Sequence, residues 1–75
     1  MIALTINGVP HRYKDALNVA QLLERLQLKG GRLALERNGE IVPRSRFKQE
    51  MLYDGDKLEI VIAVGGGWAL LKWIN

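Results

Sequence analysis

Apolar and polar positions alternate from the start of the chain. Ile2, Leu4 and Ile6 fall on one face of a predicted strand, with Ala3 and Thr5 on the other. Asn7-Gly8 follows, a pair that tolerates positive φ and favours a tight hairpin turn. Val9 to Lys14 alternates less cleanly, with Val9, His11 and Tyr13 sharing a face; Pro10 has no N–H to donate and suits an edge strand. The period then changes. Val19, Leu22, Leu23 and Leu26 recur at the spacing of an amphipathic helix. Asn18 is its predicted N-cap with Gln21 as capping partner, and Gly30-Gly31 is expected to end it in the left-handed conformation. Burying each of those leucines is worth about 1.5–3 kcal/mol, which makes this stripe the largest expected contribution to the core.

Leu33 and Leu35 alternate with Arg32, Ala34 and Glu36 in a third strand. Asn38-Gly39 is a second hairpin signal, and Glu40 to Val42 returns as a short strand stopped by Pro43. Residues 44–53 are polar and irregular. Phe47, Met51 and Leu52 are expected to turn inward there, with Tyr53 at the core edge. Asp54-Gly55-Asp56 reads as a turn. Residues 57–64 form the last predicted strand, with Leu58, Ile60 and Ile62 on one face and Val61 on the other, a pattern that suits the sheet centre. No partner strand is expected beyond it. The order strand, strand, helix, strand, short strand, strand predicts an α+β fold, a mixed sheet with one main helix packed on one face. A β-grasp arrangement fits, with the first and last strands side by side at the centre.

Composition narrows the chemistry. A chain of 75 residues holds one small domain, and this one has no cysteine, so disulfides, thiolate metal sites and thiol catalysis are excluded. His11 is the single histidine and cannot supply a multi-histidine metal centre; it reads as a surface or half-buried strand residue. A net charge of +3 is too weak to indicate nucleic acid without a motif, and no aromatic platform interleaves with the basic residues. No apolar stretch reaches ~20 residues and no signal-peptide pattern opens the chain. A soluble cytoplasmic domain, with no membrane or nucleic-acid partner and no bound metal, is therefore expected. No carboxylate pair or nucleophile–base arrangement suggests an enzyme.

Gly65-Gly66-Gly67 follows the last predicted strand. A spacer or a simple loop would use such a run. So would a narrow arm, free of side chains, that threads another protein's active site. The organisation read from the chain is a domain over 1–64, a glycine arm over 65–67 and an apolar extension over 68–75. Arg37, Arg44, Arg46 and Lys48 cluster locally, either as a solvated face or as a docking patch for an acidic partner or for an ATP-bearing enzyme.

Several segments carry a family resemblance. Glu36-Arg37-Asn38-Gly39-Glu40-Ile41-Val42-Pro43-Arg44-Ser45 is very similar to the central segment of the sulfur-carrier proteins of thiamine biosynthesis, the ThiS type. Leu22-Leu23-Glu24-Arg25-Leu26, Asp54-Gly55-Asp56 and Glu59-Ile60-Val61-Ile62-Ala63-Val64-Gly65-Gly66-Gly67 resemble the same family in the same order, so the similarity covers residues 1–67. It implies a ubiquitin-like β-grasp fold and a carrier that is not itself an enzyme. It further implies that a C-terminal glycine, here Gly67, is adenylated by an E1-like partner enzyme using ATP and converted to a thiocarboxylate. Gly65 and Gly66 would form the arm, and a thiazole synthase would receive the sulfur. The carrier binds no cofactor of its own. The related small subunit of molybdopterin synthase shares this fold and ending, and a non-carrier β-grasp interaction module is a further alternative.

The chain departs from the pattern by continuing through Trp68-Ala69-Leu70-Leu71-Lys72-Trp73-Ile74-Asn75. The Gly67 carbonyl is therefore an amide to Trp68, with no carboxylate for ATP to activate until a processing protease frees it. Three readings of the extension stay open: a removable segment, a binding segment, or one appended artificially. If it turns helical, spacing brings Leu70, Trp73 and Ile74 together, and Trp68 and Trp73 add much apolar area. Docking on its own domain or self-association follows.

Overall fold

The computed structural model describes residues 1–28, 32–64 and 67–70, with backbone only at Val64 and at 68–70. Strands β1 (Ile2–Ile6) and β2 (Val9–Tyr13) precede helix α1 (Val19–Arg25), which leads to β3 (Leu33–Arg37) and β4 (Glu40–Val42). A 3-10 turn over Arg44–Arg46 precedes β5 (Lys57–Val64) and β6 (Gly67–Leu70). Both Asn-Gly pairs make the predicted hairpins. Asn7 and Gly8 have φ of 50° and 82°, and Asn38 and Gly39 have 52° and 88°, which matches the right-handed twist of the strands they join. The sheet runs β2-β1-β5-β3-β4, with β6 pairing β5. Among the described residues only β1 and β5 are parallel, through Thr5↔Lys57 and Ile6↔Leu58; the other pairs are antiparallel. The expected mixed sheet and the central place of Lys57–Val64 are therefore found.

The helix begins as expected. Gln21 N–H donates to Asn18 Oδ1 at 2.8 Å, and Asn18 N–H donates to Gln21 Oε1 at 2.9 Å, a complete capping box. Val19, Leu22 and Leu23 are buried beneath it. Asn18 Nδ2 also donates to the Lys48 carbonyl at 3.1 Å, tying the helix start to the following loop. Asn18→Ala is expected to cost about 1–2 kcal/mol of stability, the upper part of the range for a cap, read as a lowered midpoint in urea unfolding.

The helix ends earlier than the sequence indicates. Gln27, at φ 60°, takes the left-handed position, its N–H donating to the Glu24 carbonyl at 3.0 Å while Leu28 N–H donates to the Leu23 carbonyl at 2.9 Å. This is a Schellman ending without glycine, and Leu28 packs against the core beside it. Burial of Leu28 outweighs the steric preference for glycine at the turn. Gly30-Gly31, the expected stop, lies outside the described residues.

Between helix and sheet, Leu4, Ile6, Val19, Leu22, Leu35, Leu52, Leu58 and Ile60 are fully buried. Phe47 joins them, but Met51 and Tyr53 do not: they are 39% and 61% exposed. The reason is local. Leu52 N–H is fixed to the Leu17 carbonyl at 3.0 Å, which aims Leu52 inward and leaves its two neighbours facing out. A further correction concerns the glycine run: no partner strand is expected beyond Val64, yet Gly67, the last of the three glycines, opens one. β6 pairs β5 through Val61↔Leu70, Ile62↔Ala69, Ala63↔Trp68 and Val64↔Gly67. Among the described residues, no helix is long and apolar enough to cross a membrane.

Candidate functional site

The two strands of interest, β5 and β6, meet at the end of the sheet that carries Gly67. One side of β5 is covered by β3 from Leu58 to Ile62. The other side is covered in three steps. β1 reaches as far as Leu58, whose carbonyl accepts from Asn7 N–H at 2.9 Å. The chain then turns away at Asn7-Gly8, and the Asn7 side chain takes the next position. Its Oδ1 accepts from Ile60 N–H at 2.7 Å, and its Nδ2 donates to the Ile60 carbonyl at 3.0 Å. A single amide thus replaces the peptide group that a longer β1 would have supplied. From Val61 onward the edge belongs to β6.

Gly67 sits in this ladder opposite Val64 and is exposed. Among the described residues, a Cβ built on it would meet nothing within 4 Å, so no close contact with them asks for glycine there. Gly65 and Gly66, expected to form the arm with it, lie outside the described residues, as do Trp73 and Ile74 of the proposed tail contacts. Trp68 and Leu70 have their backbones in β6, opposite Ala63 and Val61.

The basic cluster separates into two parts. Arg37 points inward: its Nε donates to Asp56 Oδ2 and its Nη1 to Glu50 Oε2, each at 2.8 Å, and its guanidinium lies 5.5 Å from the centre of the Tyr53 ring. These bonds, led by the one to Asp56, hold the guanidinium above even its ordinary pKa, against the opposing effect of burial. Arg37 is a clamp inside the domain. Arg44, Arg46 and Lys48 are exposed around the following turn, with Arg46 in a longer 3.4 Å contact with Glu50 Oε1.

Asp56 closes the turn before β5, its N–H donating to the Tyr53 carbonyl at 3.1 Å. It is 6% exposed and accepts from the Tyr53 N–H at 2.9 Å, from Asn38 Nδ2 at 3.1 Å and from Arg37. Burial alone would push its carboxyl up. The three donors and the Arg37 charge outweigh that and hold it below the ordinary carboxylate value. The neighbouring Asp54 Oδ1 accepts from Ala3 N–H at 2.7 Å, so both acids of the turn are fastened to other strands.

The sheet face away from the helix carries Thr5, Lys57, Glu59 and Glu36 around a shallow hollow of about 390 Å³. Glu36 stands directly opposite Glu59 across the β3–β5 ladder, a like-charge pairing that weakens a sheet. His11 lies on the helix side of β2 opposite Leu4, stacked on Tyr13 at 6.4 Å. Its Nε2 is buried without a hydrogen-bond partner among the described residues. None of these features brings a nucleophile to a base. Among the described residues, no cluster of at least three His, Cys, Asp or Glu side chains could hold a metal ion.

Comparison with known proteins converges on one family. The ThiS family model matches residues 4–67, a span that ends at Gly67. The chain is 38% identical over 65 residues to the sulfur carrier protein ThiS of Bacillus subtilis, covering 85% of this chain and 98% of that one. It is 45% identical over 64 residues to a thiazole synthase of Paramagnetospirillum magneticum, but spans only 20% of that protein's length. The crystal structure of ThiS from Geobacter metallireducens superposes with a TM-score of 0.77 at 35% identity, over 88% of this chain and all of the other.

Proposed function

Because the chain belongs to the ThiS family, we propose that it carries sulfur for thiamine biosynthesis on the carboxyl carbon of Gly67. A glycine carboxylate resists attack until it is given a leaving group. Its oxygen attacks ATP in the active site of an adenylating, E1-like partner, and pyrophosphate departs. A hydrosulfide ion from a sulfur donor then attacks the acyl carbon, AMP leaves with the original oxygen, and loss of the sulfur-bound proton makes the terminus a thiocarboxylate. A thiazole synthase is the recipient. The carrier supplies the acyl group, and its partners supply acid, base and nucleotide site, so it is a protein cosubstrate that binds no cofactor of its own. The cytoplasm, where such partners work, is its proposed location.

The observation that carries this reading is the end of the family match at Gly67, a position where the fold leaves a Cβ free space. The demand for glycine then comes from the channel that a terminus enters, where a side chain would obstruct approach. The thiazole synthase, the sulfur carrier protein ThiS and the solved thiamine biosynthesis protein described above bear thiamine-pathway names, which favours thiazole formation over the molybdopterin alternative.

Residues 68–75 must leave before charging, and a processing protease is the proposed agent. Exposed Arg44, Arg46 and Lys48 are the proposed docking residues for the adenylating partner, with Arg37 supporting them from within. The test compares the full chain with a chain ending at Gly67, each incubated with the adenylating enzyme, ATP and a sulfur donor. The shorter chain is expected to gain the mass of one sulfur in place of one oxygen, and the full chain to do so only after losing residues 68–75. An unchanged mass for the shorter chain overturns the carrier reading. It would favour a binding module that keeps its extension, to which the β5–β6 ladder lends support.

A further inference from the structure

Backbone groups of a strand point alternately to its two edges. The Leu58 carbonyl and both backbone groups of Ile60 face β1 and Asn7, whereas Ala63 N–H faces β3 and donates to the Arg32 carbonyl at 2.8 Å. Ile62 and Val64 therefore direct their N–H and C=O groups toward β6. In the β5–β6 ladder the pairs that exchange hydrogen bonds are Ile62↔Ala69 and Val64↔Gly67, while the N–H of Trp68 turns outward.

We propose that this edge of β5, at Ile62 and Val64, is a strand-addition site for an extended polypeptide segment of a partner protein, and that residues 67–70 occupy it within the same molecule until displaced. β1 stops short of the edge and the Asn7 amide covers a single position, so without β6 the N–H and C=O groups of Ile62 and Val64 lie open along a half-buried stretch of β5. Recognition there runs through main-chain hydrogen bonds, which require an extended conformation of the partner and little of its sequence. A cut after Gly67 detaches Trp68-Ala69-Leu70, so one event exposes both the glycine terminus and the edge beside it. The site rests on the ladder alone and stands whether or not Gly67 carries sulfur.

Amide hydrogen exchange on the full chain tests it, because neighbouring residues face different strands. Ile62 and Val64 amides are expected to be protected in the full chain, together with Val61 and Ala63. Ala69→Pro removes the N–H that faces Ile62 and is expected to speed exchange at Ile62 and Val64 roughly tenfold or more. Val61 and Ala63 should stay protected by β3, which shows the fold intact. Trp68→Pro, whose missing N–H faces solvent, is the matched control and is expected to change nothing. Adding the synthetic peptide Gly-Trp-Ala-Leu-Leu-Lys-Trp-Ile-Asn at millimolar concentration to the Ala69→Pro chain is expected to restore protection at Ile62 and Val64. Equal exchange of those two amides in the Ala69→Pro and unmodified chains would overturn the proposal. So would an opened edge that the peptide leaves unprotected.

Discussion

Replacing Asp56 by alanine is expected to lower stability by about 3 kcal/mol, a fall in melting temperature of roughly 12–24 °C for a domain of this size. The carboxylate holds Arg37, Asn38 and the Tyr53 N–H together, and Arg37 is only 22% exposed. Removing Asp56 leaves a half-buried guanidinium with Glu50 as its remaining carboxylate and orphans a backbone donor. Asp56→Asn keeps the shape but loses the charge, and is expected to fall between the two. The pH dependence has a definite sign. Folding depresses the Asp56 pKa, so the unfolded chain binds the extra proton first as acid is added. The stabilisation is complete above the ordinary carboxylate range and is lost as pH falls from there through the lower folded value. Urea unfolding from neutral pH into that acid window should show a flatter decline for Asp56→Ala than for the unmodified chain. Parallel curves would remove Asp56 from the account of acid sensitivity.

Asn7 carries the next largest expected effect. It holds φ at 50° and uses both ends of its amide on Ile60. Asn7→Gly keeps the turn and removes the two bonds, at an expected cost of about 1–3 kcal/mol. Asn7→Ala adds the steric penalty of a left-handed residue, about 1–2 kcal/mol more. Asn7→Asp tolerates the turn but sets an oxygen against the Ile60 carbonyl, and should resemble alanine more than glycine. Chemical denaturation of the three variants separates turn from bonds. A glycine variant as stable as the parent would mean that water replaces the amide at no cost.

Much of this fold is legible from local pattern because local physics decides it. The Asn-Gly turns, the Asn18–Gln21 cap and the apolar stripe of the helix each depend on residues a few positions apart, and each is found where the sequence puts it. What was missed depends on distant parts of the chain. β6 exists because β1 ends early and leaves an edge unfilled, which no window around residues 67–70 reveals. The helix stops at Gln27 because Leu28 has a core to enter. Arg37 stands among basic neighbours in the sequence, yet its position carries a signal of its own. It continues the inward alternation of Leu33 and Leu35, and a cation on a buried face calls for acidic partners. The candidate site was legible in part. The glycine and the family pattern pointed to Gly67, but the edge beside it is a property of the assembled sheet.

The parallel, staggered placement of β1 against β5 has a practical consequence. Ile6 lies level with Leu58, so β1 begins well before β5 and β5 runs on well past it. Counting residues along the strands separates Ile2 from Val64 by roughly 30 Å. Met1, 82% exposed, therefore offers a handle for a dye, a bead or a purification label at the pole opposite Gly67. A molecule tethered there leaves Gly67 and the β5–β6 ladder clear, whereas a label attached beyond residue 67 would depart with the segment that the proposed cleavage removes.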